Sequence, residues 1–307
     1  MIAGFVILIK GADFFVDGAS GVAEKFHIPQ IIIGLTIVAF GASAPEAAIS
    51  ISAALSGTTG IAIGNILGSN LLNILVILGI SASIVPLHIG RSSIKFDIPF
   101  NILITVALVF FGVVLGKLNV FTGIAFWILM ILFMVHLFRT AKSEMDRGEA
   151  QEEPKKKKNI FLLVLYIIGG LAAIILGSDL AVDNATIIAS DILKIDDRLI
   201  GLTIIALGTS LPELMTSVMA ARKGNADIAV GNILGSNIFN ILFVVGTTAL
   251  ITPVAFAGDF VVDTLIAIAA AVLLWICVFR KQRLNRIGGI VMLVSYATYF
   301  AYLVLMR

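Results

Sequence analysis

The sequence predicts an all-α membrane protein of ten transmembrane helices in two inverted-topology five-helix repeats. Three observations predict it: a composition too apolar for water, ten separate apolar runs, and an internal duplication. Hydrophobic residues make up 59% of the 307 and charged residues 13%, with a mean hydropathy of +1.09. An ordinary soluble domain carries about 25% charged residues. Too little polar surface exists to coat a globule of this size, so lipid is the main solvent. A lone cysteine, Cys277, excludes an intrachain disulfide and a cysteine metal cluster. A net charge of +2 offers no basic stripe for nucleic acid. Lys10 and Asp13 interrupt the first apolar run, which argues against a cleaved signal peptide.

Apolar runs of about 20 residues cross the hydrocarbon core as helices. They fall at 1–19, 28–54, 61–84, 97–116, 119–138, 159–182, 197–221, 227–250, 260–279 and 287–306. The first is shorter than its counterpart at 159–182 and is expected to be short or to start irregularly. The segment 139–158 differs in character. Arg139, Lys142, Arg147 and Lys155, Lys156, Lys157 and Lys158 mix there with Glu144, Asp146, Glu149, Glu152 and Glu153. It reads as a solvated linker that divides the chain into halves at 1–138 and 159–307. If the linker is cytoplasmic, sixteen Lys and Arg residues fall on that side and four (Lys117, Lys194, Arg198, Arg307) on the other. Positive charge accumulates on the cytoplasmic side, so both termini are expected outside.

Residues 34–79 and 201–246 align without a gap, and more than half of the aligned positions are identical. GLTIVAFGASAPE (34–46) matches GLTIIALGTSLPE (201–213), and GNILGSNLLNIL (64–75) matches GNILGSNIFNIL (231–242). Gly11, Asp13 and Asp17 likewise face Gly177, Asp179 and Asp183; these aspartates are expected to be interfacial or capping residues. An odd number of spans per copy inverts one copy relative to the other. Such inverted repeats place transport sites at the repeat interface near mid-membrane.

Each copy puts a glutamate in an apolar span, Glu46 and Glu213. A charge at a helix centre costs about 2.5–3.5 kcal/mol on insertion scales. Keeping two argues for a cation, a proton or a buried cationic partner. No Lys, Arg or His lies inside these repeated spans, so cation binding, proton binding or silent protonated carboxyls remain. Pro45 and Pro212 precede the glutamates, and proline clashes with the carbonyl four residues back, Gly41 and Gly208. Carbonyls around 39–42 and 206–209 are expected to lose their partners, which in lipid requires protein, water or an ion to replace them. A packing kink accounts for one such proline; recurrence beside a glutamate in both halves points to a site. Ser43 and Ser210 lie three residues earlier, on the same helical face.

The partner segments carry glycines four apart, Gly64 and Gly68, then Gly231 and Gly235, a spacing that lets helix backbones approach closely. Asn65, Ser69 and Asn73 fall four residues apart, as do Asn232, Ser236 and Asn240, giving each helix a polar stripe. Interhelical hydrogen bonding alone would also use these residues. Taken together the copies supply carboxylates, hydroxyls, amides and carbonyls, an all-oxygen set suited to hard cations. Calcium accepts six to eight oxygens in flexible geometry, while magnesium demands a tight octahedron. His27, His88 and His136 lie at span ends or in loops, so transition-metal ligation is not expected here.

At these residues the chain resembles the cation/calcium exchanger superfamily, most closely the prokaryotic sodium/calcium exchangers. The G-[AT]-S-x-P-E and G-N-x-x-G-S-N segments look like that family's two alpha-repeats. The resemblance implies a multi-pass cell-membrane protein that exchanges sodium for calcium by alternating access, normally exporting calcium, with the first helix of each half sliding across the core. It implies calcium ligands at Glu46, Glu213 and the main-chain carbonyls of Ala42 and Thr209. It implies sodium sites at Ala39, Ser43, Ser69, Ala206, Thr209, Ser210 and Ser236, sharing the same glutamates. Asn73 and Asn240 complete the set; aspartate occupies the second of these positions in some relatives, including potassium-dependent exchangers. Ala42 stands where Thr209 stands in the other half, which a carbonyl ligand tolerates. No cofactor beyond the transported ions is expected, nor any nucleic-acid partner. If three sodium ions exchange for one calcium, as in that family, transport is electrogenic.

A proton/calcium exchanger is the nearest alternative, because two glutamates alone could carry protons; the serines favour sodium, which needs neutral oxygens. An intramembrane hydrolase using Ser43 or Ser210 lacks a general base within the spans. A passive channel would show no counter-ion dependence. The acidic run of the linker is too short to build a regulatory calcium domain and reads as a tether, and Lys155 to Lys158 are placed to touch anionic lipid.

Overall fold

The computed structural model describes residues 2–57, 59–146, 159–187, 206–256 and 258–306, nearly all of them helical. Helix satisfies every backbone group within its own segment, which lipid demands. In chain order the elements are α1 (Ile2–Phe26), α2 (Gln30–Ala42), α3 (Ala44–Leu55), α4 (Thr59–Ile84), β1 (Leu87–His88), α5 (Ser93–Leu115), β2 (Lys117–Leu118) and α6 (Val120–Asp146). The second half continues with α7 (Ile160–Ile187), α8 (Ala206–Thr209), α9 (Leu211–Arg222), α10 (Ala226–Ile251), β3 (Val254–Ala255), α11 (Gly258–Phe279), β4 (Arg283–Leu284) and α12 (Arg286–Met306).

Seven of the described helices are long and apolar enough to cross a membrane, and the bent pair α2–α3 makes an eighth. The chain is therefore a multi-pass membrane protein. Two expected spans fall outside that group for identifiable reasons. α1 carries Lys10, Asp13, Asp17, Glu24 and Lys25. The start of the 197–221 run lies outside the described residues, as do 147–158 of the linker and the cations Lys194, Arg198 and Arg307. One expectation changes. The first helix is neither short nor irregular at its start but runs unbroken over Ile2–Phe26, because its acidic residues find a cationic partner described below. The expected linker segment begins as helix, continuing α6 to Asp146.

The chain resolves into two compact units, one drawn from Met1–Pro45 and Arg139–Asn232, the other from Glu46–Phe138 and Ile233–Arg307. In the first unit α1 and α7 pack along a seam of glycines. A Cβ added at Gly11 would lie 2.7 Å from the Ile174 nitrogen, and one at Gly170 would lie 2.6 Å from the Phe15 nitrogen. Backbone meets backbone along this seam, which no larger side chain permits. The same unit brings α2 against the start of α10, where Gly34 and Gly231 meet so closely that a Cβ on either would lie 3.0 Å from the other's Cα.

In the second unit two short antiparallel ribbons tie helix ends together: β1 pairs with β4 (Leu87 with Leu284, His88 with Arg283), and β2 with β3 (Lys117 with Ala255, Leu118 with Val254). β1 and β2 bracket α5, so the ribbons sit at opposite ends of that helix. Gly79 of α4 packs on the Gly289 carbonyl of α12, and Gly123 of α6 on the Gly246 carbonyl of α10. α10 and α4 are the interior spans, with 94% and 72% of their windows buried, whereas α12 has 17%. The outer helices of this unit turn Leu103, Phe110, Val113, Phe121 and Leu132 outward, as a lipid-facing surface requires.

Candidate functional site

The two repeated motifs fold alike. α2 stops at Ser43 (φ −84°, ψ 7°) and α3 resumes at Ala44, with a bend of 51° between them. Ser210 (φ −93°, ψ 4°) makes the matching break between α8 and α9. Each proline thereby sits in the first turn of a new helix, where the missing N–H costs nothing. Each glutamate also sits in that first turn, at the positive end of the helix dipole, which favours a carboxylate. One expected orphan is satisfied: the Ala39 carbonyl accepts from the Ser43 N–H at 3.0 Å. Gly57 and Gly224, with φ of +78° and +82°, turn the chain back after α3 and α9.

In the first unit Glu213 is 1% exposed, and Ser43 donates its hydroxyl to Glu213 Oε1 at 3.0 Å. Sequence positions 43 and 213 lie in different repeats, and only folding brings them together. Asn232 Nδ2 donates to the Glu213 carbonyl at 3.3 Å and to Ser217 Oγ at 2.9 Å, so the third helix of the half fixes the turn that carries the carboxylate. Glu213 Oε2, Ser210 Oγ and Asn232 Oδ1 are buried with no hydrogen-bond partner among the described residues. Ala39 and Ala42 are buried in the same unit, Thr209 is half-buried, and Ala206 opens α8.

The second unit repeats the frame. Glu46 is fully buried, and Asn65 Nδ2 donates to the Glu46 carbonyl at 3.4 Å and to Ser50 Oγ at 3.0 Å. Ser69, Asn73, Ser236 and Asn240 are all buried on α4 and α10. Asn73 and Asn240 fall within π-helical turns, Leu72–Ile77 and Asn240–Val245, a distortion that clusters at functional positions. Ser50 and Ser217 were not in the sequence-based set; their signal was identity in both copies, four residues past each glutamate. Among the described residues no group of three His, Cys, Asp or Glu side chains exists.

The glycine spacing brings backbones together in the second copy. A Cβ added at Gly231 would lie 2.8 Å from the Ile31 carbonyl, while one at Gly64 or Gly68 would have nothing within 4 Å among the described residues. Gly64 is exposed and Asn65 half-buried, while Gly231 and Asn232 are buried.

The aspartates of α1 also find a role. Lys223, just past α9, pairs with Asp13 Oδ1 at 2.6 Å and Asp17 Oδ1 at 2.8 Å, and donates to the Asp13 carbonyl at 2.7 Å. Asn225 donates to Ser20 Oγ at 2.7 Å. These contacts pin α1 to the α9–α10 turn. Asp179 is exposed, and the Asp183 side chain lies outside the described residues.

This duplicated frame of glutamate, hydroxyl and amide has known counterparts. The family model described as sodium/calcium exchanger protein matches residues 1–139 and 162–305. The chain belongs to the sodium/calcium exchanger family. It is 32% identical to the sodium/calcium exchanger MaX1 of Methanosarcina acetivorans, over 99% of this chain and 97% of that protein. It is 39% identical to the inner membrane protein YrbG of Escherichia coli, over 90% and 87%. Among solved structures it resembles the sodium-calcium exchanger NCX_Mj, with a TM-score of 0.85 and 30% identity over 98% of this chain and 96% of that one. MaX1 and NCX_Mj are exchangers by name, and this exchanger-family chain is a cation/calcium antiporter with sodium and calcium as the family's transported ions.

Proposed function

We propose that the protein is a sodium-driven calcium antiporter of the cell membrane, working by alternating access and normally exporting calcium. The observation that carries this reading is the repeated frame: a buried glutamate in the first turn after a proline, its carbonyl held by an asparagine, in both copies. Glu46 and Glu213 supply the negative charge for calcium, with the main-chain carbonyls of Ala42 and Thr209. Sodium uses Ala39, Ser43, Ser69, Ala206, Thr209, Ser210 and Ser236 with the same glutamates, and Asn73 and Asn240 add amide oxygens. Two carboxylates balance one Ca²⁺, and neutral hydroxyls suit sodium better than a proton.

The ten-span layout with inverted halves draws support from the pairings of the second unit. By the repeat, β1 corresponds to β3 and β2 to β4, yet β1 pairs with β4 and β2 with β3. Corresponding loops therefore lie at opposite ends of α5, as one inverted copy requires. The halves are then 1–138 and 159–307, joined by a cytoplasmic linker at 139–158, with both termini outside.

The deciding experiment is radioactive calcium uptake into proteoliposomes under sodium, potassium and proton gradients imposed singly. Uptake driven by an outward sodium gradient is expected. Uptake driven by a pH gradient and indifferent to sodium would make the protein a proton/calcium exchanger, and uptake needing no counter-ion would make it a channel.

A further inference from the structure

We propose that Asn70 and Asn237, which are not among the cation ligands named above, are positioning residues that force Asn73 and Asn240 to present oxygen rather than N–H₂ to the ion. The proposal rests on Asn73 and Asn240 being cation ligands. Four buried amides in the second unit form a reciprocal ring. Asn70 Nδ2 donates to the Asn237 main-chain carbonyl at 3.4 Å, and Asn237 Nδ2 to the Asn70 carbonyl at 3.3 Å. Asn73 Nδ2 donates to Asn237 Oδ1 at 2.9 Å, and Asn240 Nδ2 to Asn70 Oδ1 at 3.1 Å.

The orientation follows from hydrogen-bond chemistry. An asparagine amide has one accepting and one donating end, and side-chain crowding does not distinguish them. A main-chain carbonyl can only accept, so Asn70 and Asn237 must each turn N–H₂ toward it. Their Oδ1 atoms then face the amides of Asn240 and Asn73, which must answer with N–H₂. The remaining oxygens, Asn73 Oδ1 and Asn240 Oδ1, are left buried with no hydrogen-bond partner among the described residues. An unsatisfied buried acceptor is costly, and a cation is the partner that removes the cost. On α4 this oxygen belongs to the stripe of Asn65, Ser69 and Asn73, whose first member holds the Glu46 carbonyl. Without the ring, each amide could rotate by half a turn and direct its N–H₂ dipole at the ion.

Partners that orient a metal ligand typically change affinity 10- to 100-fold when removed. The test is calcium uptake by the full-length chain in proteoliposomes, read as apparent KM and maximal rate. Asn237→Ala and Asn70→Ala are each expected to raise the calcium KM at least about tenfold, with the maximal rate and the size-exclusion profile preserved. A KM within about twofold of wild type in both would overturn the proposal. Asn237→Gln keeps both a donor for the Asn70 carbonyl and an acceptor for Asn73 and should leave KM far nearer wild type; a rise as large as that of alanine overturns it, and this variant decides if alanine does not fold. With Asn73→Leu the oriented oxygen is gone, so adding Asn237→Ala should raise KM no further. Full additivity would make Asn237 merely structural. Wild-type uptake that responds only to a pH gradient defeats the sodium reading but leaves the ring testable, because its readout is the calcium KM.

Discussion

Glu213 receives a hydroxyl from Ser43 of the other repeat, and its main chain is held by Asn232. Replacing its carboxylate by an amide keeps the shape and removes the charge, so Glu213→Gln is expected to abolish calcium flux in proteoliposomes while the protein still elutes as a folded species. Glu46→Gln should do the same, and near-normal sodium-dependent flux in either would contradict the assignment. Ser43→Ala removes a hydrogen bond to a charged group, worth about 1.5–3 kcal/mol; the expected result is a roughly tenfold or larger rise in the sodium concentration needed to drive uptake. The glutamates, prolines and serines were legible in sequence because each recurs in both copies. Asn70 and Asn237 recur too, yet a stripe read at four-residue spacing passes over them. Their partners come from the facing helix of the other repeat, which no local pattern displays.

At the scale of helices, glycine decides how α1 and α7 meet. A Cβ at Gly170 would lie 2.6 Å from the Phe15 nitrogen and 2.8 Å from the Gly11 carbonyl. Overpacking of this kind costs about 1–3 kcal/mol, so Gly170→Val should lower the thermal midpoint and the transport rate together; an unchanged midpoint would show that the seam yields. The Lys223 contacts set a different constraint. The corresponding residue of the first copy is Ser56, so the repeat carries no lysine at that position. Its ion pairs are partly exposed, and together they contribute on the order of 1 kcal/mol. Lys223→Met is expected to speed backbone hydrogen exchange in the second half of α1 several-fold, measured by mass spectrometry in detergent. Exchange equal to wild type would show that the clamp contributes nothing. The sequence showed the aspartates but not this partner, because a lysine at a span end reads equally well as a topology signal.

For the whole molecule, the ribbons make a prediction about sidedness. In a Cys277→Ala background, single cysteines at His88 and Arg283 should react with an impermeant maleimide from one face of sealed vesicles, and cysteines at Lys117 and Ala255 from the other. Labelling of all four from one face would break the inverted arrangement. The proposed linker assignment further places the His88 and Arg283 face in the cytoplasm, following the charge bias.

The sequence by itself determined that this chain lives in lipid, that it is duplicated, and which acidic and hydroxyl residues each copy contributes. Composition, hydrophobic run length and internal identity are properties of the linear chain, so folding was not needed to read them. Tertiary structure alone decided that helix breaks at Ser43 and Ser210 put each proline in a first turn, and that Lys223 shields the acids of α1. Those facts depend on which distant segment lies alongside, and a repeated sequence, being the same in both copies, carries no information about how its two surroundings differ.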